Sequence, residues 1–273
     1  MLGNITIGQY YPVKSFVHEL DARTKLYCTI IFITMIFFIH SFIGYAFALL
    51  CLGGAIKTSR VPIKFMLRGL KAIMFIIVFT MVLNIFFTPG PTVLASLGPF
   101  TITLEGVLNA GRMALRFAML IIGSSIMTLT TTPIQLTAAI EFSLKPLKRL
   151  GVPAHEIAMM MTIALRFIPT LIEEMDKIMK AQMARGADFD TGGIIKKARS
   201  MVPLLVPLFI SSFRRADDLA LAMEARCYRG DVNRTKMKEM RMSRLDAIAF
   251  AAAGIFIAGI IGIEMATRAF GII

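Results

Sequence analysis

Few residues in this chain could do chemistry. Three histidines (His18, His40, His155) and three cysteines (Cys28, Cys51, Cys227) stand far apart. They make no HExxH or CxxC pair, so their spacing predicts no metal site and no disulfide framework. No GxxxxGK[ST] run occurs, so nothing is expected to cradle ATP phosphates, and no cofactor or catalytic residue is assigned. What remains is arginine. "QMARGAD" (182–188) and "EARCYRG" (224–230) each place Ala-Arg and a small residue at the end of an amphipathic stretch. The candidate residues are Ala184, Arg185 and Gly186 at the first tip, and Ala225, Arg226 and Cys227, with Arg229, at the second. A cation in a last helical turn complements the helix dipole, and Gly at C′ is an ordinary helix stop. The same arrangement also suits a guanidinium fork entering a groove with a carboxylate at its base, where Arg makes bidentate bonds. Two such tips fit a partner with two similar grooves, for instance a pair of related subunits.

The elements that must position these tips are greasy. Of 273 residues, 56% are hydrophobic, and the mean hydropathy is +0.72. Soluble domains lie nearer ~45–50% apolar, so an all-α polytopic membrane protein is the expected fold class. The 30 basic and 17 acidic residues give +13, which basic loops facing anionic lipid explain without nucleic acid. The first 25 residues lack the apolar core of a cleavable signal, so the first span is expected to act as the insertion signal.

Apolar length predicts five spans: 26–39, 41–56, 72–87, 106–131 and 245–266. The first two are joined only by "HS" and read as a tight helical hairpin; the third ends at "TPGP". Segment 57–71 holds Lys57, Arg60, Lys64, Arg68 and Lys71 and no acid, whereas 88–105 has no basic residue. The positive-inside rule therefore puts 57–71 and the N-terminus in the cytoplasm, with 88–105 and the C-terminus outside. Arg112 and Arg116, four apart in the outer half of the fourth span, either snorkel to headgroups or face a protein interior and orient a neighbouring helix. Gly254, Ala258 and Gly262 form a small-residue ladder in the last span, expected to pack inside its own bundle, with a partner membrane subunit as the alternative.

The chain thus divides into a membrane bundle (1–131), a coupling region (132–244) and a C-terminal span (245–273). The coupling region carries 19 basic and 12 acidic residues and three expected helices. One runs from Pro133 to a stop at Gly151; a second runs from Pro153 to about Arg185, with Met175, Ile178, Met179 and Gln182 on one stripe. The third repeats that plan, and an offset of 41 brings Asp176 onto Asp217 and Arg185 onto Arg226. The apolar halves suit helices lying at the cytoplasmic interface, bent by Pro169, Pro203 and Pro207. Glu141, Glu156, Glu173 and Glu174 are expected to be solvated or paired. Arg166, inside "IALRFIPT", needs a partner or an escape from its apolar run, and could brace crossed helices or face a partner.

Longer runs carry a resemblance. "SFVHELDARTKL" (15–26) is close to an S-x-x-H-x-L-D-x-R-x-K pattern. It is joined by "TTTPIQLTAAIE" (130–141), "PLKRLGVPAHEIAMMMTIALRFIPTLIEEMDKIMKAQMARGADF" (146–189) and "PLLVPLFISSFRRADDLALAMEARCYRG" (203–230). Over nearly its whole length the chain resembles the transmembrane coupling (T) component of energy-coupling factor transporters. The resemblance implies a non-catalytic subunit in the cell membrane, with two Ala-Arg-Gly tips docking two ABC-type ATPases. It also implies a separate small membrane protein, the S component, that binds a vitamin or other micronutrient. By motif, Arg185 and Arg226 are the docking arginines. Cys227 departs from the pattern's Gly, so the second helix is expected to run on one turn to Gly230, with Arg229 as a substitute contact. In the N-terminal motif, Asp21 is expected to cap the first span. A dedicated nickel or cobalt module is the alternative within the family. A stand-alone secondary transporter would need a midplane polar site, and an intramembrane enzyme would need a nucleophile or metal set.

Overall fold

A computed structural model describes residues 10–97, 100–187, 189, 193–230 and 242–269. The helices are α1 (Phe16–Glu19), α2 (Ala22–Phe38), α3 (Phe42–Ser59), α4 (Ile63–Phe87), α5 (Leu104–Thr130), α6 (Pro133–Leu144), α7 (Ala154–Ala184), α8 (Ile194–Ala225) and α9 (Arg244–Ala269). Between α4 and α5, strands β1 (Val93–Leu97) and β2 (Phe100–Thr103) pair antiparallel, with Val93 opposite Thr103 and Leu97 opposite Phe100. The protein is an all-α polytopic membrane protein apart from this strand pair, which lies in the segment expected outside the membrane.

By length and apolar composition α3, α5, α7 and α9 can each cross a bilayer, and α4 makes a fifth if its two arms form one span. Two of the expected spans take particular forms. The third is the second arm of α4, whose Ile63–Lys71 and Ile73–Phe87 arms meet at 59°. The basic residues Lys64, Arg68 and Lys71 are therefore helical. The first, α2, has 17 residues and extends about 25 Å at ~1.5 Å per residue, at the short end of the roughly 17–25 residues that span a bilayer, as α3 is with 18. Conversely, α7 is long and apolar enough to span, which its interfacial reading did not allow.

Two compact units emerge, Gly8–Ala139 with Glu239–Ile273, and Ile140–Lys238. In the first, α9 packs against α2 and α3, while α5 packs against α2, α3 and α4. The core is built from Ile36, Tyr45, Leu52, Met66, Met119, Ile126, Phe256 and Ile260. Phe256 stacks on Phe32 and Phe47, with ring centroids 5.6 and 6.2 Å away. Close approach is bought with glycine at Gly123, where a Cβ would lie 2.3 Å from the Phe32 ring. The ladder on α9 does not take part: Gly254, Ala258 and Gly262 are exposed, and a Cβ added at either glycine would meet nothing within 4 Å. Phe256, Ile260 and Glu264, four apart, form the inward stripe instead, because α9 turns its bulkier face to the core.

The N-terminal motif forms a knot in this unit. Ser15 caps α1, and Asp21 caps α2 by accepting the Arg23 N–H at 2.9 Å. Burial pushes the His18 pKa down, so the ring is neutral: Nε2–H donates to the Tyr11 carbonyl at 2.9 Å and Nδ1 accepts from the Ser15 hydroxyl at 2.7 Å. Lys25 Nζ donates to the carbonyls of His18 (3.1 Å) and Thr130 (2.9 Å). Asp246, at the start of α9 and 1% exposed, accepts the Asp21 N–H at 2.9 Å and the Ser243 N–H at 2.7 Å. The motif thus ties α1, α2, α5 and α9 together, a wider role than the cap expected of it.

In the second unit, Lys145–Leu150 form a 3-10 turn that stops at Gly151, with φ 85°. His155 on α7 meets Glu141 at 3.2 Å. Helices α7 and α8 pack together.

Candidate functional site

The two tips share one backbone geometry. Helix α7 stops at Ala184, with Arg185 at the cap (φ −89°, ψ 8°) and Gly186 left-handed at φ 86°. Helix α8 stops at Ala225, with Arg226 at the cap (φ −90°, ψ 14°) and Cys227 left-handed at φ 55°. At the first tip, Gly186 N–H donates to the Met183 carbonyl and Ala187 N–H to the Gln182 carbonyl, both at 3.0 Å. At the second, Cys227 N–H donates to Glu224 at 2.9 Å and Tyr228 N–H to Met223 at 3.0 Å. Each is a Schellman closure that satisfies the last carbonyls of its helix. Every donor and acceptor of one tip maps onto the other at an offset of 41.

This overturns the expectation of a longer α8. Cys227 does not postpone the stop; it adopts the conformation that Gly186 holds, at the steric cost of a Cβ in the left-handed region. Gly230, with φ 72°, turns the chain again beyond it. Arg229 is therefore exposed on the chain after the helix, and not on a further helical turn.

Ala184, Arg185, Gly186, Ala225, Arg226 and Cys227 are all exposed. Among the described residues, no side-chain hydrogen bond or ion pair engages Arg185 or Arg226. Each guanidinium presents its fork to the surroundings, with only an alanine methyl before it in sequence.

The helices behind the tips meet at equivalent positions. Arg215 on α8 donates to Glu174 on α7 at 2.9 Å, and Ser211 also donates to Glu174. The Arg215 guanidinium lies over the Phe167 ring, 5.8 Å from its centroid. Glu174 and Arg215 are themselves related by the offset of 41, and each stands ten residues before its helix's last residue. Each tip is then about 15 Å along its helix from a common clamp, at ~1.5 Å per residue. Met175, Ile178, Met179 and Gln182 are half-buried, as their stripe predicts, while Glu173, Lys177 and Lys180 are exposed. Arg166 is exposed, and a pair that joins α7 to α8 is made by Glu174 and Arg215.

Arg112 and Arg116 belong to the other unit. Arg116 Nη2 donates to the Ile39 carbonyl at 3.0 Å and Nε to the Tyr45 hydroxyl at 3.1 Å; its guanidinium also lies over Phe37. Arg112 lies over Phe42 and donates to the His40 carbonyl at 3.4 Å. On the same turn, Glu264 Oε1 accepts the N–H groups of His40 (3.0 Å) and Ser41 (2.9 Å). Two cations and one carboxylate thus latch the α2–α3 turn. Sequence reading missed Glu264 and Asp246; a lone acid in an apolar span was the signal available for Glu264.

Comparison with known proteins agrees with this architecture. The family profile described as cobalt transport protein (CbiQ) matches residues 13–237. The energy-coupling factor transporter transmembrane protein EcfT of Thermosediminibacter oceani is 57% identical over 255 residues, covering 93% of this chain and 96% of that protein. Its namesake in Ruminiclostridium cellulolyticum is 53% identical, over 97% of this chain and 98% of that one. The Clostridium kluyveri protein of the same name is 54% identical over 93% and 94%. With its helical membrane architecture, this similarity places the chain in the CbiQ family, as a transmembrane component of an energy-coupling factor transporter.

Proposed function

We propose that this chain is the non-catalytic coupling subunit of the transporter, passing the motion of two ABC-type ATPases to a substrate-binding S component. Arg185 and Arg226 each enter a groove on one ATPase and pair there with a carboxylate. The observation that carries this reading is the equivalence of the tips. Two exposed guanidinium forks, set by the same Schellman closure, stand equally far from one Glu174–Arg215 clamp. Nearly equivalent tips suit a pair of related ATPases. The clamp lets a displacement of one tip be felt by the other helix. Exposed apolar residues on α8, including Leu205, Phe209 and Phe213, offer a face for the S component or the bilayer. Substrate choice falls to that partner. A vitamin or other micronutrient is the cargo proposed for it, with a dedicated nickel or cobalt module as the alternative.

The test is charge reversal. Breaking a desolvated ion pair costs roughly 3–5 kcal/mol, or about 10²–10³ in affinity. Arg185→Glu or Arg226→Glu alone is expected to weaken assembly. The double variant should insert in the membrane yet lose both ATPases on affinity purification. An acid-to-base reversal in one ATPase groove should rescue only the matching variant. Normal transport and full ATPase stoichiometry in the double variant would reduce the tips to helix caps.

A further inference from the structure

The unit formed by Gly8–Ala139 and Glu239–Ile273 contains a space that the coupling reading does not use. A cavity of about 570 Å³ opens among α1, α2, α3, α5 and α9. Its walls are apolar, with Phe32, Leu52, Ile126, Ala252 and Phe256 among them. The few polar groups in the wall are engaged within the protein. Lys25 Nζ holds two carbonyls, and the hydroxyls of Thr29, Thr58 and Thr130 donate to helix carbonyls in their own preceding turns. Lys25 keeps one further N–H, and Cys28 and Cys51 add only weakly polar thiols, so the walls suit a hydrocarbon chain far better than a polar ligand.

The mouth has the opposite chemistry. A second hollow, sharing Phe16 and Thr58 with the groove, is lined by Lys14, Ser15, Glu19, Lys57 and Arg60. Among the described residues, no ion pair reaches Lys14, Lys57 or Arg60. Glu19, the one acid there, is likewise unpaired, leaving an excess of two positive charges. Lys57 and Arg60 end α3, where cations favour the helix dipole. That role does not account for Lys14, which arrives from a different segment. Nor does it account for the backbone of Arg60, left-handed at φ 53°, where glycine would be less strained.

We propose that this groove and its cationic mouth form a binding site for one anionic glycerophospholipid, with the phosphate held among Lys14, Lys57 and Arg60 and an acyl chain in the groove. Charge complementarity selects the head, and the apolar walls select the tail. A bound lipid would seal the end of α3 to the segment that leads into the N-terminal knot. The site is independent of the arginine tips, and its failure would leave the coupling reading untouched.

The experiment is native mass spectrometry of the full chain, equilibrated with vesicles of phosphatidylglycerol and phosphatidylcholine in equal amounts and released into detergent. The wild type should retain one phosphatidylglycerol in preference to phosphatidylcholine. The Lys14→Ala/Lys57→Ala/Arg60→Gly variant should bind phosphatidylglycerol about 100-fold more weakly, at roughly a fivefold loss for each of the three cations. Glycine at position 60 suits the left-handed backbone, so this variant keeps its fold. Ala252→Phe, which fills the groove and leaves the charges in place, should also lose the lipid. Equal retention of the two lipids by wild type, or an unchanged adduct in both variants, overturns the site. A photoreactive residue at position 58 should cross-link lipid in membranes; capture of protein instead also overturns it.

Discussion

Arginine serves opposite ends in the two units. In the bundle, Arg116 directs its donors inward, to the Ile39 carbonyl and the Tyr45 hydroxyl, and Arg112 leans over Phe42 toward the His40 carbonyl. At the tips, Arg185 and Arg226 are exposed, with no side-chain partner among the described residues. The bundle arginines replace hydrogen bonds that water cannot supply to a helix end in an apolar setting. The tip arginines sit on helix ends already closed by their own backbone, so their donors are left for another molecule. A cation's neighbours, rather than its identity, separate a structural arginine from one left free for the docking proposed above.

The contrast breaks first where polar groups are most buried. Asp246→Ala strands the Asp21 N–H, at about 1–3 kcal/mol if it is left unmet, and removes a buried acceptor that also holds the exposed Ser243 backbone in place. Arg116→Ala strands the Ile39 carbonyl and the Tyr45 hydroxyl in the same way. Each variant is expected to lose about 2–5 kcal/mol, seen as a lower midpoint in detergent thermal unfolding and reduced membrane yield. An unchanged midpoint for both would mean that the bundle's polar contacts are as dispensable as those of a surface.

An intermediate effect is expected where the tips differ from each other. Gly186→Cys should destabilise the isolated chain by about 1 kcal/mol, and Cys227→Gly should stabilise it by a similar amount, because only glycine is unstrained at positive φ. The double swap should come out near neutral. Equilibrium unfolding in mixed micelles would measure it. If Cys227→Gly destabilises, the cysteine side chain contributes something that the backbone geometry does not reveal.

The smallest effect sharpens the comparison most. Arg185→Ala and Arg226→Ala should each change the stability of the isolated chain by no more than about 0.5 kcal/mol, as for exposed positions generally. The same substitutions should weaken recovery of the ATPases. A stability loss as large as that of Arg116→Ala would make the tip arginines structural and remove the distinction between the units.

Much of the region from α6 to α8 was legible because its signals are local. Pro133 opens α6, Gly151 closes the turn after it, and α7 runs from Ala154 to Ala184 within a residue of its predicted ends. Proline, left-handed glycine and a 3.6-residue stripe act over a few positions, so they can be read without the rest of the fold. The second tip was misread for a related reason. A cysteine lacks glycine's freedom at positive φ, and a local rule therefore moved the stop to Gly230. The backbone paired its carbonyls at Cys227 and Tyr228 anyway, because closing the helix end outweighs roughly 1–2 kcal/mol of local strain.

The amino-acid sequence alone determined that this is a helical membrane protein, where most of its helices run, and that two arginine tips repeat at an offset of 41. Those properties follow from hydropathy, periodicity and capping chemistry, which act between near neighbours. Only the tertiary structure decided which charges are in use. Asp246 serves Asp21 across 225 positions, Glu264 serves His40 across 224, and Arg116 serves Ile39 across 77. It likewise decided that Gly254, Ala258 and Gly262 face outward, and that Glu174 and Arg215 clamp the arms at equivalent positions. A hydrogen bond between distant segments leaves no periodic trace in the chain. Its partners become visible only when packing brings the helices together.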